Sequence, residues 1–145
     1  MRGLHWFRND LRLEDNRALG DLFRVVDEWC GLFVLEARLV NIPSVSLKRL
    51  SFLFECLDDL SNDLDQVGNR LVVVDGPAET QIPQLMHKLS ISVLSFNEGT
   101  TPFAKSRDQS VIASVEKAGH RVLKRRDHVI FSAADIGSFS TVHAN

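Results

Sequence analysis

Short apolar runs alternate with longer amphipathic runs along the chain. The short runs are rich in valine, leucine and aromatic residues, and they predict five strands, at 3–7, 31–35, 70–74, 92–96 and 121–123. The longer runs repeat apolar residues at the 3.6-residue helical period and predict four helices between the strands. The clearest of them has one apolar face, made by Leu47, Leu50, Phe52, Leu53, Cys56, Leu57, Leu60 and Leu64.

This alternation predicts an α/β fold. Strands that follow one another through crossover helices pair in parallel, so we expect a three-layer, Rossmann-like (doubly wound) five-stranded parallel sheet with helices on both faces. Asp15 is the predicted N-cap of the first helix, and Thr101 followed by Pro102 predicts the start of the fourth. Ligands of such sheets bind beyond the carboxyl ends of the strands.

Composition narrows the class of protein. The chain has 145 residues, the size of one domain, and its formal net charge of −2 argues against a main nucleic-acid-binding surface. Its apolar runs are too short to span a bilayer, and the charged N-terminus does not resemble a secretory signal. Cys30 and Cys56 lack metal-ligand spacing and are expected to be free thiols. These features predict a cytoplasmic protein without membrane contact.

Common catalytic and phosphate-binding motifs are absent from the sequence. No GxGxxG follows the first strand, and GxxxxGK[ST], GxSxG and HExxH do not occur. We therefore predict neither a metal site nor a catalytic residue in this chain.

The loop after the first strand concentrates charge at a strand's carboxyl end. Arg8, Asp10 and Arg12 could brace one another through arginine–carboxylate hydrogen bonds, with Asp15 completing a purely structural loop. The alternative is that this loop binds a ligand. The residues by themselves leave both interpretations open.

The same loop carries a resemblance to a known family. Residues 6–16, WFRNDLRLEDN, closely resemble the opening signature of the DNA photolyase/cryptochrome family. The resemblance continues in register through Arg49 with Phe52-Leu53, residues 69–76 with Ile82-Pro83, and Pro102-Phe103 with Arg107-Asp108.

The resemblance implies a protein larger than this chain. Family members join an amino-terminal α/β domain to a helical domain that holds FAD. Photolyases use light-excited reduced flavin to repair UV-induced pyrimidine dimers in DNA, a carbon–carbon lyase reaction, and cryptochromes use related photochemistry for blue-light signalling. By this resemblance residues 1–131 are the antenna domain, 132–145 begin the interdomain linker, and the FAD-binding domain is absent. We expect this chain alone to be non-catalytic and to be monomeric or weakly associating. Contacts with DNA are expected only through the helical domain.

The resemblance also implies a site for a light-harvesting chromophore, which is a deazaflavin, a flavin or a folate in different members. In flavin and deazaflavin relatives the first loop, the end of strand two and the start of helix four wall the pocket. The corresponding candidates here are Asn9, Asp10, Val34, Leu35, Glu36, Thr101, Phe103 and Ala104, and Lys48 and Arg49 could reach an acidic ligand tail. Folate-antenna members of the bacterial type have Asn-Glu where Phe103-Ala104 stands, and this difference disfavours a folate held in that manner.

Two functions therefore stand beside the photolyase interpretation. One is a domain of a cryptochrome-type signalling protein, and the other is a standalone nucleotide- or flavin-binding module. A flavodoxin-like electron carrier is disfavoured because no Ser/Thr-rich phosphate loop follows the first strand.

Overall fold

Five strands form one parallel sheet in the order β3-β2-β1-β4-β5. The computed structural model describes residues 1–8, 10–36 and 47–126. The strands are β1 Arg2–Phe7, β2 Glu28–Leu35, β3 Leu71–Asp75, β4 Val93–Glu98 and β5 Arg121–Arg126. The helices in the described ranges are α1 Arg17–Phe23, α2 Leu47–Gln66, α3 Ala78–Lys88 and α4 Pro102–Lys117. The predicted α/β fold is confirmed, whereas the predicted boundary near residue 131 lies outside the described residues.

Strand residues alternate between two core layers because successive side chains in a strand point to opposite faces. Leu4 and Trp6 of β1 pack with α3 and α4, in a layer that also contains Leu32, Val34, Ile82, Met86, Leu94, Phe96, Val111 and Val115. Phe7 packs on the opposite face with α1 and α2, in a layer that also contains Leu19, Leu22, Leu60, Leu64 and Val93. Helices therefore cover both faces, as the apolar strands predicted.

Two strands extend further than their apolar runs. β4 and β5 were predicted to end at Phe96 and Leu123, but their pairing continues through Asn97 with Arg125 and Glu98 with Arg126. Strand pairing uses backbone N–H and C=O groups, which are present whatever the side chain. Polar residues at the carboxyl ends of β4 and β5 thus remain in the sheet.

The predicted N-cap of the first helix is wrong. Asn16, not Asp15, caps α1, and its side-chain oxygen accepts the Leu19 N–H at 3.1 Å. Asp15 has a φ of 51° and an exposed side chain, so it makes the turn that precedes the cap. The prediction for α4 is confirmed, because Thr101 Oγ1 accepts the Ala104 N–H at 3.1 Å and Pro102 opens the helix.

Both cysteines are free thiols, as predicted. Within the described ranges, the chain has no helix that combines the length and the apolar character needed to cross a membrane.

Candidate functional site

A buried polar network fixes the start of the loop after β1. It joins His5 of β1 to two residues of β4, to Asp10 and to the α1 cap; its members are His5, Asp10, Asn16, Ser95 and Asn97, all buried. The Asn97 amide donates to Asp10 Oδ2 at 2.6 Å and to Asn16 Oδ1 at 2.8 Å. Asp10 Oδ1 also accepts the backbone N–H of Arg8 at 3.0 Å. Asp10 is therefore an internal anchor of the loop.

His5 is neutral in this network. The Asn16 amide donates to His5 Nε2 at 3.2 Å, which leaves Nδ1 to carry the proton and donate to Ser95 Oγ at 2.7 Å. Burial lowers the pKa of His5 below its ordinary value of 6.5, despite the nearby Asp10 carboxylate. Burial alone would raise the pKa of Asp10, but the neighbouring His5 ring and the hydrogen bonds that the carboxylate accepts from the Asn97 amide and the Arg8 N–H hold this pKa below 3.8.

Arg8 is paired with a residue of α4. Its Nη2 donates to Asp108 Oδ2 at 3.0 Å, and its Nη1 lies 2.9 Å from Asp108 Oδ1. Asp108 also accepts the Gly99 N–H at 2.9 Å, so one carboxylate joins the ends of β1 and β4 to α4. Of the arrangements that the sequence left open, pairing of Asp10 with the Arg8 guanidinium is therefore not the one observed.

Two arginines lie against the rings at the ends of β1 and β4. The Arg8 guanidinium carbon is 4.7 Å from the Trp6 ring centre and 5.2 Å from that of Phe96. The Arg107 guanidinium is 5.2 Å from Trp6 and 5.5 Å from Phe103. Contacts of this kind are attractive because the ring face is electron-rich. They hold Arg107 between buried Trp6 and half-exposed Phe103.

A cleft opens at the carboxyl ends of β1 and β2, beside the start of α4. Its volume is about 170 Å³, and its walls are Trp6, Phe7, Arg8, Phe33, Val34, Glu36, Thr101, Phe103, Ala104 and Arg107. A larger groove of about 910 Å³ shares Arg8 and Phe33 with it and runs along the first half of α2. A ligand too large for the cleft could therefore extend into the groove.

The structure brings together five of the predicted site residues in the cleft, namely Val34, Glu36, Thr101, Phe103 and Ala104. Lys48 and Arg49 line the adjoining groove. Asp10 is buried behind Arg8, and Leu35 is not part of the cleft wall. Asn9 lies outside the described residues. Phe103 lines the cleft and does not fill it, because 46% of its surface is exposed.

Sequence reasoning missed Arg107, Trp6 and Phe33 as cleft residues. Arg107 follows Phe103 by four positions, the spacing that places two helical side chains on one face, and this signal was present in the sequence. Trp6 is both buried and part of the cleft wall. Among residues 1–8, 10–36 and 47–126, no cluster of side chains could hold a metal ion.

Comparisons with known proteins identify the family of this chain. The family model described as DNA photolyase matches residues 3–143. Cryptochrome-1 of Gallus gallus is 33% identical over 131 residues, which are 90% of this chain and 21% of that protein. Cryptochrome-1 of Mus musculus is 31% identical over the same length. The chain thus spans about a fifth of the length of these relatives.

Solved structures show the same fold. An archaeal photolyase from Sulfolobus tokodaii, described with two FAD molecules and the implication of a novel light-harvesting cofactor, matches with a TM-score of 0.84 and 30% identity. The match covers 98% of this chain and 34% of that one. A class III photolyase from Agrobacterium tumefaciens has a TM-score of 0.81 at 22% identity, covering 92% of this chain and 27% of its own. Since the family model covers most of the chain, this protein belongs to the DNA photolyase/cryptochrome family and has the fold of its amino-terminal α/β domain.

Proposed function

We propose that this chain is the antenna-chromophore and scaffold domain of a deoxyribodipyrimidine photolyase-like protein. The observation that carries the proposal is the cleft beside the start of α4, with an exposed phenylalanine in its wall. Ligands of doubly wound sheets bind at this end of the strands.

The cleft wall suits a flat aromatic ring. Phe103 exposes about half of its surface, and Arg107 supports its ring from the side of Trp6. An aromatic ring held in place loses little freedom when a second ring stacks on it. Thr101 Oγ1 accepts the Ala104 N–H, so its own hydroxyl proton is directed elsewhere and can reach a ring carbonyl.

The groove suits the remainder of a flavin-type ligand. At about 170 Å³ the cleft is small for a whole cofactor, whereas the adjoining groove of about 910 Å³ provides the missing space. Lys48 and Arg49 stand at the groove and supply positive charge for an acidic tail. The second FAD and the light-harvesting role described for the archaeal photolyase support a flavin or deazaflavin in preference to a folate.

The family suggests two alternative activities for the full-length protein. In a photolyase, light and FAD held in a helical domain would repair pyrimidine dimers, and that domain would supply the contacts with DNA and FAD. Blue-light signalling is the alternative, favoured by the identity of 31–33% to vertebrate cryptochromes. Both activities use the same antenna domain, so the cleft has the same task in either. We also propose that the protein is cytoplasmic. The chain is monomeric or associates only weakly with itself.

A ligand titration of the purified chain tests the proposal. FMN, a hydroxylated deazaflavin and a reduced folate are added separately, and quenching or polarisation of ligand fluorescence is recorded. We expect the two flavin-type rings to bind more tightly than the folate. The substitution Phe103→Ala should weaken FMN binding about 3- to 10-fold because it removes one stacking surface.

Phe23→Ala is the matched control for Phe103→Ala. Phe23 is also a half-exposed phenylalanine at 52%, but it packs against Trp29 on the α1 side of the sheet. FMN affinity should be unchanged in this variant. Absence of binding of all three chromophores at millimolar concentration would contradict an antenna function and leave only the scaffold role.

A further inference from the structure

Glu36 is the first residue after β2 and lies in the wall of the cleft. It lies at the end of a strand that is paired on both sides, with β1 and with β3. A carboxylate here meets any ligand that enters between β1, β2 and the start of α4.

The Glu36 side chain is held against the turn after β3. A methyl group added at Gly76 would collide with Glu36 Oε2, so the absence of a side chain at Gly76 makes room for the carboxylate. The Gly76 N–H also donates to the Leu35 carbonyl at 2.7 Å and fixes the backbone beside Glu36. One oxygen of the carboxylate is therefore packed in place.

The other oxygen, Glu36 Oε1, is buried and has no hydrogen-bond donor in the part of the chain that the structure describes. A buried acceptor without a donor costs free energy, and the cost is larger for a charged group. Arg8 also lines the cleft, but its guanidinium is paired with Asp108. Glu36 Oε1 is an acceptor that a bound molecule with an N–H group would satisfy.

We propose that Glu36 is a specificity-determining residue that accepts a hydrogen bond from a ring N–H of the bound chromophore. This inference rests on the proposed antenna function and goes further, because it names the ligand edge that the cleft recognises. Flavins and deazaflavins carry an imide N–H between two ring carbonyls. Such a ring would present its imide edge to Glu36 while its plane stacks on Phe103.

The test compares riboflavin with 3-methylriboflavin, which has the same ring but lacks the imide N–H. Both are titrated into the purified chain, and the ratio of their dissociation constants is taken from fluorescence. The wild-type chain should bind riboflavin at least about tenfold more tightly, the range for a hydrogen bond to a charged group. In Glu36→Ala the two ligands should bind equally, and Glu36→Gln, which retains an acceptor oxygen, should keep part of the preference.

Glu98→Gln is the matched control. Glu98 ends β4 at the same edge of the parallel sheet, two strands from β2, and is partly exposed beside Lys124 at 3.6 Å, outside the cleft. Loss of the Glu98 charge should leave the ratio of the two dissociation constants unchanged. Equal binding of both ligands by the wild-type chain, or a preference that survives in Glu36→Ala, would overturn the role of Glu36 while leaving the antenna function intact. Failure of both ligands to bind any variant would overturn the antenna function and the Glu36 role with it.

Discussion

Asn16 connects the first helix to the buried network at the residue scale. Its oxygen accepts the Leu19 N–H and the Asn97 amide, while its amide group donates to His5 and to the Arg12 carbonyl. One side chain therefore serves as a helix cap and as a hydrogen-bond partner for two buried residues. Asp15, next to it in sequence, is exposed and contributes only a turn.

We predict that Asn16→Ala lowers the free energy of unfolding by about 2 kcal/mol or more. The loss combines the missing N-cap with the buried amide of Asn97, which would lose an acceptor. Urea denaturation followed by circular dichroism measures the change. Asp15→Gly is the control, and because glycine adopts a positive φ without strain it should change stability by less than about 1 kcal/mol. Equal losses in the two variants would contradict the assignment of the cap to Asn16 rather than Asp15.

The buried network should also make stability depend on pH. Burial holds the pKa of His5 below 6.5, so at slightly acidic pH the unfolded chain binds a proton that the folded chain excludes. The contribution of His5 to the free energy of unfolding is therefore constant above pH 6.5. It falls as the pH drops below 6.5. Asp10, whose pKa is held below 3.8, adds a further loss below about pH 4 because the unfolded chain protonates first.

The measurement is the free energy of unfolding between pH 5 and pH 8 for the wild-type chain and His5→Gln. Glutamine keeps polar contacts but does not titrate in this range. The wild-type curve should fall below pH 6.5 more steeply than that of the variant, although the variant is less stable at pH 8. Parallel curves would mean that His5 is not the titrating group.

At the scale of the element, α2 divides into two halves with different environments. Its apolar face continues from Leu47 to Leu64 in the sequence, yet Leu57, Leu60 and Leu64 are buried whereas Leu47 and Phe52 are 83% and 66% exposed. The apolar face that the sequence predicts is therefore buried only in the second half of the helix. That first half borders the groove beside the cleft.

We predict that Leu60→Ala destabilises the fold by about 2–5 kcal/mol, the usual cost of removing a fully buried leucine side chain. Leu47→Ala, the matched control on the same helix, should change stability by less than about 0.5 kcal/mol. Thermal and urea unfolding of both variants provide the values. A large loss in Leu47→Ala would indicate that another part of the chain covers this end of α2.

At the scale of the whole molecule, the strand order creates the site. β1 is central, and the chain builds outward from it first to β2 and β3 and later to β4 and β5. The loops that leave β1 and β4 therefore diverge, and Arg8, Gly99 and Asp108 fill the space between them. The cleft lies one strand away, at the carboxyl ends of β1 and β2 and beside the start of α4.

The site residues show how far the sequence determines this arrangement. The family resemblance named Glu36, Thr101 and Phe103 as candidates, and the local pattern of strands and helices placed each of them near a strand or helix end. The pairing of Arg8 with Asp108 could not be read in this way. The two residues are 100 positions apart, and closer carboxylates, Asp10 among them, were available to Arg8.

The sequence by itself determined the strand and helix pattern, the parallel sheet, the cap of α4 and the family, because these depend on local periodicity and short motifs. Only the tertiary structure decided the cap of α1, the neutral state of His5, the exposure of Leu47 and the acceptor left open on Glu36. Each of these depends on which distant groups approach a side chain and exclude water from it. Distances through space between residues far apart in the chain are set by the packing of the whole sheet.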